Sequence, residues 1–185
     1  MKEDLLKIIN TYGVLPQLEY YQTEVWELND AIRDYESSGW DFSDEECIEI
    51  EKEYKEHITE EIADNFVMLH QFPEYYYERL DVHNIEPYIF RTDNYEHIEE
   101  ISKYLKKFQK DVCKLTCVIA TAEEREQDYI SEYRYEDIIE AIDNILYKLN
   151  SIQLYYKISD KEIEEVMKYK VERQLKRIEE NEKKN

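Results

Sequence analysis

The sequence predicts an all-α fold, a helical bundle forming a single domain over residues 1–185. Only 2 glycines and 3 prolines punctuate the chain, too few turn formers for a protein of many strands. Apolar residues make up 42% and aromatics 14%, enough to build a core although 37% of residues are charged. Helix start and stop signals also recur at intervals suited to long helices rather than to short strands.

Taken in order, a first helix covers about a dozen residues and stops at Gly13, since glycine tolerates the backbone angles that end a helix. Pro16 suits the first turn of a second helix reaching about Tyr35, because its missing N–H has no partner there. The stretch from Glu36 to Phe42 reads as a loop, and Ser43 with Glu46 forms a capping box opening a third helix. The Phe72-Pro73 step is expected to end that helix, with an irregular stretch to Asn94. A long helix is expected over Tyr95–Glu124 and another over Tyr135–Tyr156. Ser159 with Glu162 then caps a last helix to about Glu180, after which the chain should fray. This places a first half at residues 1–80, a connector at 81–94 and a second half at 95–185.

Acidic residues number 45 against 24 Lys and Arg, a net charge of −21. So acidic a surface disfavours direct contact with nucleic-acid phosphates or an anionic membrane. It does not disfavour a nucleotide bound through a metal ion, which reverses the local sign of charge. Cys47, Cys113 and Cys117 have no metal-ligand or redox spacing, and the last two are expected as small core residues. The charged start Met1-Lys2-Glu3-Asp4 and the absence of a long apolar run lead to the expectation of a cytoplasmic protein with reduced thiols.

The chemistry resides in acidic pairs. Glu24-Val-Trp-Glu27 and Glu61-Ile-Ala-Asp64 each place two carboxylates about one helical turn apart on the same side. If the two helices pack side by side, four carboxylates converge, and a hard divalent cation relieves their repulsion. With acids this abundant, on the order of ten such pairs arise by chance, most of them solvated helix faces. These two differ in setting, lying among Val25, Trp26, Leu28, Ala31 and Ile32, and among Ile58, Ile62, Ala63, Phe66 and Val67. Trp26 is expected in the core, and the tyrosines are expected mostly at helix interfaces.

A second copy of the pattern follows. Gln22 to Ile32 aligns with Gln109 to Ile119, and Glu61-Ile-Ala-Asp64-Asn65 aligns with Glu140-Ala-Ile-Asp143-Asn144. The correspondence reads as an internal duplication of a helix pair, giving one chain two pseudo-symmetric halves that would otherwise need a dimer. In the second half Asp111 and Lys114 replace the first acidic pair, and Lys114 is expected to pair with Glu140 or Asp143 in place of a metal.

These motifs resemble those of the all-α nucleoside triphosphate pyrophosphohydrolases, the MazG-like and dimeric dUTPase-like superfamily, whose signature is ExxE on one helix and ExxD on the next. The stretch from Ile158 to Arg177 is similar to the closing helix of MazG-like proteins. The resemblance implies a pseudo-symmetric MazG-like bundle with Mg²⁺, or Mn²⁺ in its place, held by Glu24, Glu27, Glu61 and Asp64. It further implies hydrolysis of a nucleoside triphosphate to a monophosphate and pyrophosphate, with Glu60 or Glu61 taking the proton from water. Lys170 and Arg173 would contact the phosphates; Asn65 would touch the sugar or base, or else serve helix packing. A homo-oligomer is compatible with the resemblance. The chain departs from the family's pattern in a longer interval between Glu27 and Glu61 and in having Asp111 and Lys114 where the ExxE acids of its second half would be. A non-catalytic acidic interaction protein on the same fold, a nucleic-acid mimic for instance, is the alternative that the charge supports.

Overall fold

The computed structural model describes residues 1–39, 47–80, 95–125 and 130–184. Six helices account for nearly all of them: α1 (Lys2–Tyr12), α2 (Val14–Ser37), α3 (Ile48–Glu78), α4 (Ile101–Arg125), α5 (Glu132–Tyr155) and α6 (Asp160–Glu182). Among the described residues the only β pairing is an isolated bridge between Leu80 and Ile130. None of these helices is long and apolar enough to cross a membrane.

α3 is the central element, packed against α1, α2, α5 and α6. Its sequence permits this because apolar residues occupy almost every face from Ile58 to Tyr76, with Ile58, Ile62, Ala63, Leu69 and Phe72 fully buried. α2 lies along α3 and α4 along α5, while α2 also meets α4. The outer helices are amphipathic. α4, for example, buries Ile101, Tyr104, Phe108, Val112, Leu115, Ile119 and Ala122, a stripe with the spacing of one helix face.

That stripe corrects two expectations. Cys113 and Cys117 fall outside it and are exposed, so they are not core residues. Trp26 is likewise off the buried face of α2 and 65% exposed, because that face runs through Leu18, Tyr21, Val25 and Leu28.

The helix boundaries show which local signals prevailed. Gly13 (φ 87°) ends α1, its N–H reaching the Ile9 carbonyl at 2.8 Å, and Pro16 sits in the first turn of α2 as expected. Pro73, by contrast, does not end α3, which continues to Glu78. Proline in a helix interior costs about 3 kcal/mol. Here the flanking Phe72 and Tyr76 are fully buried and Pro73 itself is buried, so packing of the central helix outweighs the lost hydrogen bond. α4 starts at Ile101 rather than Tyr95, because the Glu96 N–H donates to Ser151 Oγ on α5 at 2.8 Å and Ile98 is buried. α5 starts early, at Glu132, capped by Ser131.

At the α5–α6 corner the expected capping box is present: Ser159 Oγ accepts from Glu162 N, and Ser159 N donates to Glu162 Oε2 at 2.7 Å. Gln153 Nε2 donates to Asp160 Oδ1 at 2.7 Å across the same corner, and the Tyr156 hydroxyl ties it to Glu36 at the end of α2 at 2.9 Å. The Ser43–Glu46 cap and the connector 81–94 lie outside the described residues.

Candidate metal centre

Where α2 crosses α3, the Glu24, Glu61 and Asp64 carboxylates each present an oxygen, all within 4.8 Å of one another. Glu24 belongs to the α2 stripe that faces α3, and Glu61 and Asp64 lie one turn apart on the answering face. Only 4% of Glu24 and 8% of Glu61 is exposed, so both acids are withdrawn from water. Glu27, expected as a fourth member, is solvent-exposed and outside this group, because it lies at the edge of the stripe. Its charge still acts on Glu24 and Glu61.

The electrostatic consequence is large. Burial, then the Asp64, Glu27 and Glu61 charges, push the Glu24 carboxyl up to about 8. Burial, then Asp64 and Glu27, push Glu61 up to about 7. Asp64 is raised as well, because burial outweighs its ion pair with Lys170. Lys170, reaching in from α6, is only 7% exposed and is the one buried cation against three acids among the described residues. The cluster is therefore short of positive charge. It is also short of hydrogen bonds: Glu61 Oε2 is buried without a partner, and so is Asn65 Oδ1.

Asn65 makes contacts that pack the two helices. It is fully buried, and its amide nitrogen donates to the Glu24 carbonyl at 3.0 Å and the Glu61 carbonyl at 2.9 Å, which locks α2 and α3 in register at the cluster. Glu60 is exposed on the neighbouring face of α3, where a cleft of about 570 Å³ runs between α3 and α6. Lys170 and Arg173 line the same cleft, and the Arg173 guanidinium lies 5.9 Å from the Tyr169 ring centre.

Two neighbours were missed from sequence. His57 Nε2 stands 3.4 Å from Glu61 Oε1, and the Tyr20 hydroxyl interacts with the Glu24 carboxylate. Both lie four residues before an acid of the cluster, a spacing that could have flagged them.

In the second half, cations are built into the chain. Lys114 Nζ meets Glu140 Oε1 at 3.1 Å, as expected, and Lys148 Nζ meets Asp111 Oδ2 at 2.5 Å. Asn144 donates to the Glu140 carbonyl at 2.8 Å, as Asn65 does to Glu61. The Lys114–Glu140 pair is exposed, at 51% and 68%, and such pairs contribute at most about 1 kcal/mol. Glu140→Gln should therefore lower Tm by only a few degrees in thermal denaturation and leave any Mg²⁺-dependent shift intact. A large loss of stability would mean that Glu140 has a buried structural role.

Comparison with known proteins yields no match: no family model, curated protein or solved structure aligns significantly with the chain.

Proposed function

We propose that this protein is a Mg²⁺-dependent nucleoside triphosphate pyrophosphohydrolase whose site lies in its first half. The observation that carries the reading is the convergence of Glu24, Glu61 and Asp64 with a buried, unpartnered Glu61 oxygen. An oxygen-only, anionic donor set fits a hard divalent cation, and an orphaned carboxylate oxygen in a buried site calls for a counter-charge. Glu24, Glu61 and Asp64 would hold the ion, with Glu27 at the rim. A divalent cation bound there neutralises phosphate charge and lowers the pKa of water.

The chain's own residues account for the rest. Glu60, exposed at the cleft, is placed to accept the proton of a water that attacks the α-phosphorus. Lys170 and Arg173, on the opposite wall, supply charge-assisted hydrogen bonds to the departing pyrophosphate. Asn65 keeps the two acid-bearing helices in register. The arrangement of α2–α3 and α4–α5 as two packed pairs, with Asn65 and Asn144 making the same bond, supports an origin by duplication in which the second half became structural.

The deciding experiment is a screen of ribo- and deoxyribonucleoside triphosphates for Mg²⁺-dependent release of pyrophosphate. Equimolar pyrophosphate and nucleoside monophosphate are expected; release of orthophosphate alone, or no turnover, rejects the assignment. A second reading, a non-catalytic acidic interaction protein, is favoured by one observation: Lys170 already places a cation against Asp64. In that case the cluster shows neither turnover nor a specific Mg²⁺ effect on stability.

A further inference from the structure

Beside the carboxylate cluster, on the α1–α2 side of α6, runs a second groove of about 340 Å³ lined by Tyr12, Pro16, Gln17, Tyr20, Gln174 and Arg177. Its walls differ in chemistry from the acid-lined α3–α6 cleft, as Arg177 is the one charge on them. Two glutamine side chains line the groove, and the Oε1 atoms of both Gln17 and Gln174 are buried without a hydrogen-bond partner. Gln17 is only 8% exposed, so bulk water does not supply the missing donor. Buried polar atoms normally find partners, and an unpaired acceptor on each of the two helices that line the groove, Gln17 on α2 and Gln174 on α6, marks donors still to be supplied. Tyr12 (39% exposed) and Tyr20 (51%) offer aromatic surface alongside. Tyr20 also interacts with the Glu24 carboxylate, so one residue of the groove touches the candidate metal centre.

Resting on the pyrophosphohydrolase reading, we infer that this groove receives the nucleobase of the substrate. The Tyr20 ring stacks on the base, and Gln17 and Gln174 accept hydrogen bonds from ring N–H or exocyclic amino groups at its edge. Stacking on an aromatic side chain is tolerant of base identity, whereas an amide reads the edge of a planar heterocycle. The groove thus separates nucleotides from bare polyphosphates, which can use the cation and Lys170 but have nothing to stack on the Tyr20 ring.

The test is calorimetric binding, in the presence of Mn²⁺, of non-hydrolysable α,β-methylene analogues of the four common ribonucleoside triphosphates and of inorganic tripolyphosphate. The wild-type chain should bind the best nucleotide analogue more tightly than tripolyphosphate. Gln174→Leu should weaken the analogue by about tenfold, in keeping with the loss of one edge contact, while tripolyphosphate affinity stays the same; Tyr20→Ala, which also removes a contact to Glu24, should weaken the analogue about tenfold more than it weakens tripolyphosphate. Tyr20→Phe, which keeps the ring, should recover the nucleotide affinity. Equal losses for both ligands would place the effect at Glu24 and overturn the inference, as would no loss for either. A wild-type chain that binds tripolyphosphate as well as any nucleotide removes the base groove and leaves the metal site standing. A chain that binds neither ligand removes the pyrophosphohydrolase reading, and the groove's role with it.

Discussion

Glu61→Gln is expected to abolish nucleotide hydrolysis and the Mg²⁺-dependent rise in Tm while making the metal-free protein more stable at pH 8. The two effects have opposite signs because the same carboxylate is a ligand when a cation is present and a liability when it is absent. Glu61 is pushed up to about 7 from an ordinary 4.5. At roughly 1.4 kcal/mol for each tenfold change in proton affinity, that rise sets an upper bound of about 3.5 kcal/mol on the cost of ionising it in the folded state. Glutamine keeps the shape, removes the charge and adds a donor beside the other acids, so a gain of about 1–3 kcal/mol is expected in metal-free thermal or urea denaturation. The metal's contribution moves the other way. A ligand at 100 times its dissociation constant stabilises a protein by about 2.7 kcal/mol, and the variant should lose that increment. A variant that melts below the wild type without metal, yet still responds to Mg²⁺, would show that the cluster holds no ion.

The stability of the metal-free protein should fall as pH rises from 7 to 9, and the stabilisation by Mg²⁺ should grow over the same range. Glu24 and Glu61 have folded-state pKa values raised to about 8 and about 7, so the folded chain binds protons more tightly than the unfolded one. Such groups contribute stability that is fully present below the unfolded value, near 4.5, and is lost as pH climbs through the folded values. A divalent cation replaces the departing protons, so its effect on Tm should be slight at pH 6 and largest above pH 8, with proton release on binding near neutrality. His70 works in the opposite direction but in another window. Burial lowers it to about 4, so its contribution changes only below its unfolded value near 6.5. Tyr35, raised to about 12, changes only at alkaline pH. The interval from 7 to 9 therefore reports the carboxylate cluster. Thermal melts across that interval, with and without Mg²⁺ at constant ionic strength, provide the measurement; parallel curves would contradict the coupling. Repetition with Glu61→Gln separates the cluster from the general repulsion of a chain carrying a net charge of −21.

Much of this was present in the sequence. The scarcity of glycine and proline, the amphipathic spacing and the Ser159–Glu162 cap determined an all-α chain and the limits of α1, α2 and α6, because those signals act over one helical turn. The ExxE and ExxD spacings likewise determined that Glu24, Glu61 and Asp64 could face one another, and the Lys114 substitution determined that the second half would carry its own cation. What the sequence left open required knowledge of which faces are covered. Pro73 reads as a helix end until α3 is seen to be central and buried through it, and Cys113, Cys117 and Trp26 read as core until their helices' buried stripes are known to run elsewhere. Asn65 was balanced between ligand contact and packing, and only the crossing of α2 over α3 put the Glu24 carbonyl within its reach. Glu27 and Glu24 share a helix face, but only Glu24 lies where the interface excludes water. Likewise, no spacing places Lys170 against Asp64 or the two unpartnered glutamines in one groove, since these depend on α6 returning across helices far away in sequence. Local spacing determines which side chains share a face; burial, and with it charge state and chemistry, is decided by what the rest of the chain packs against that face.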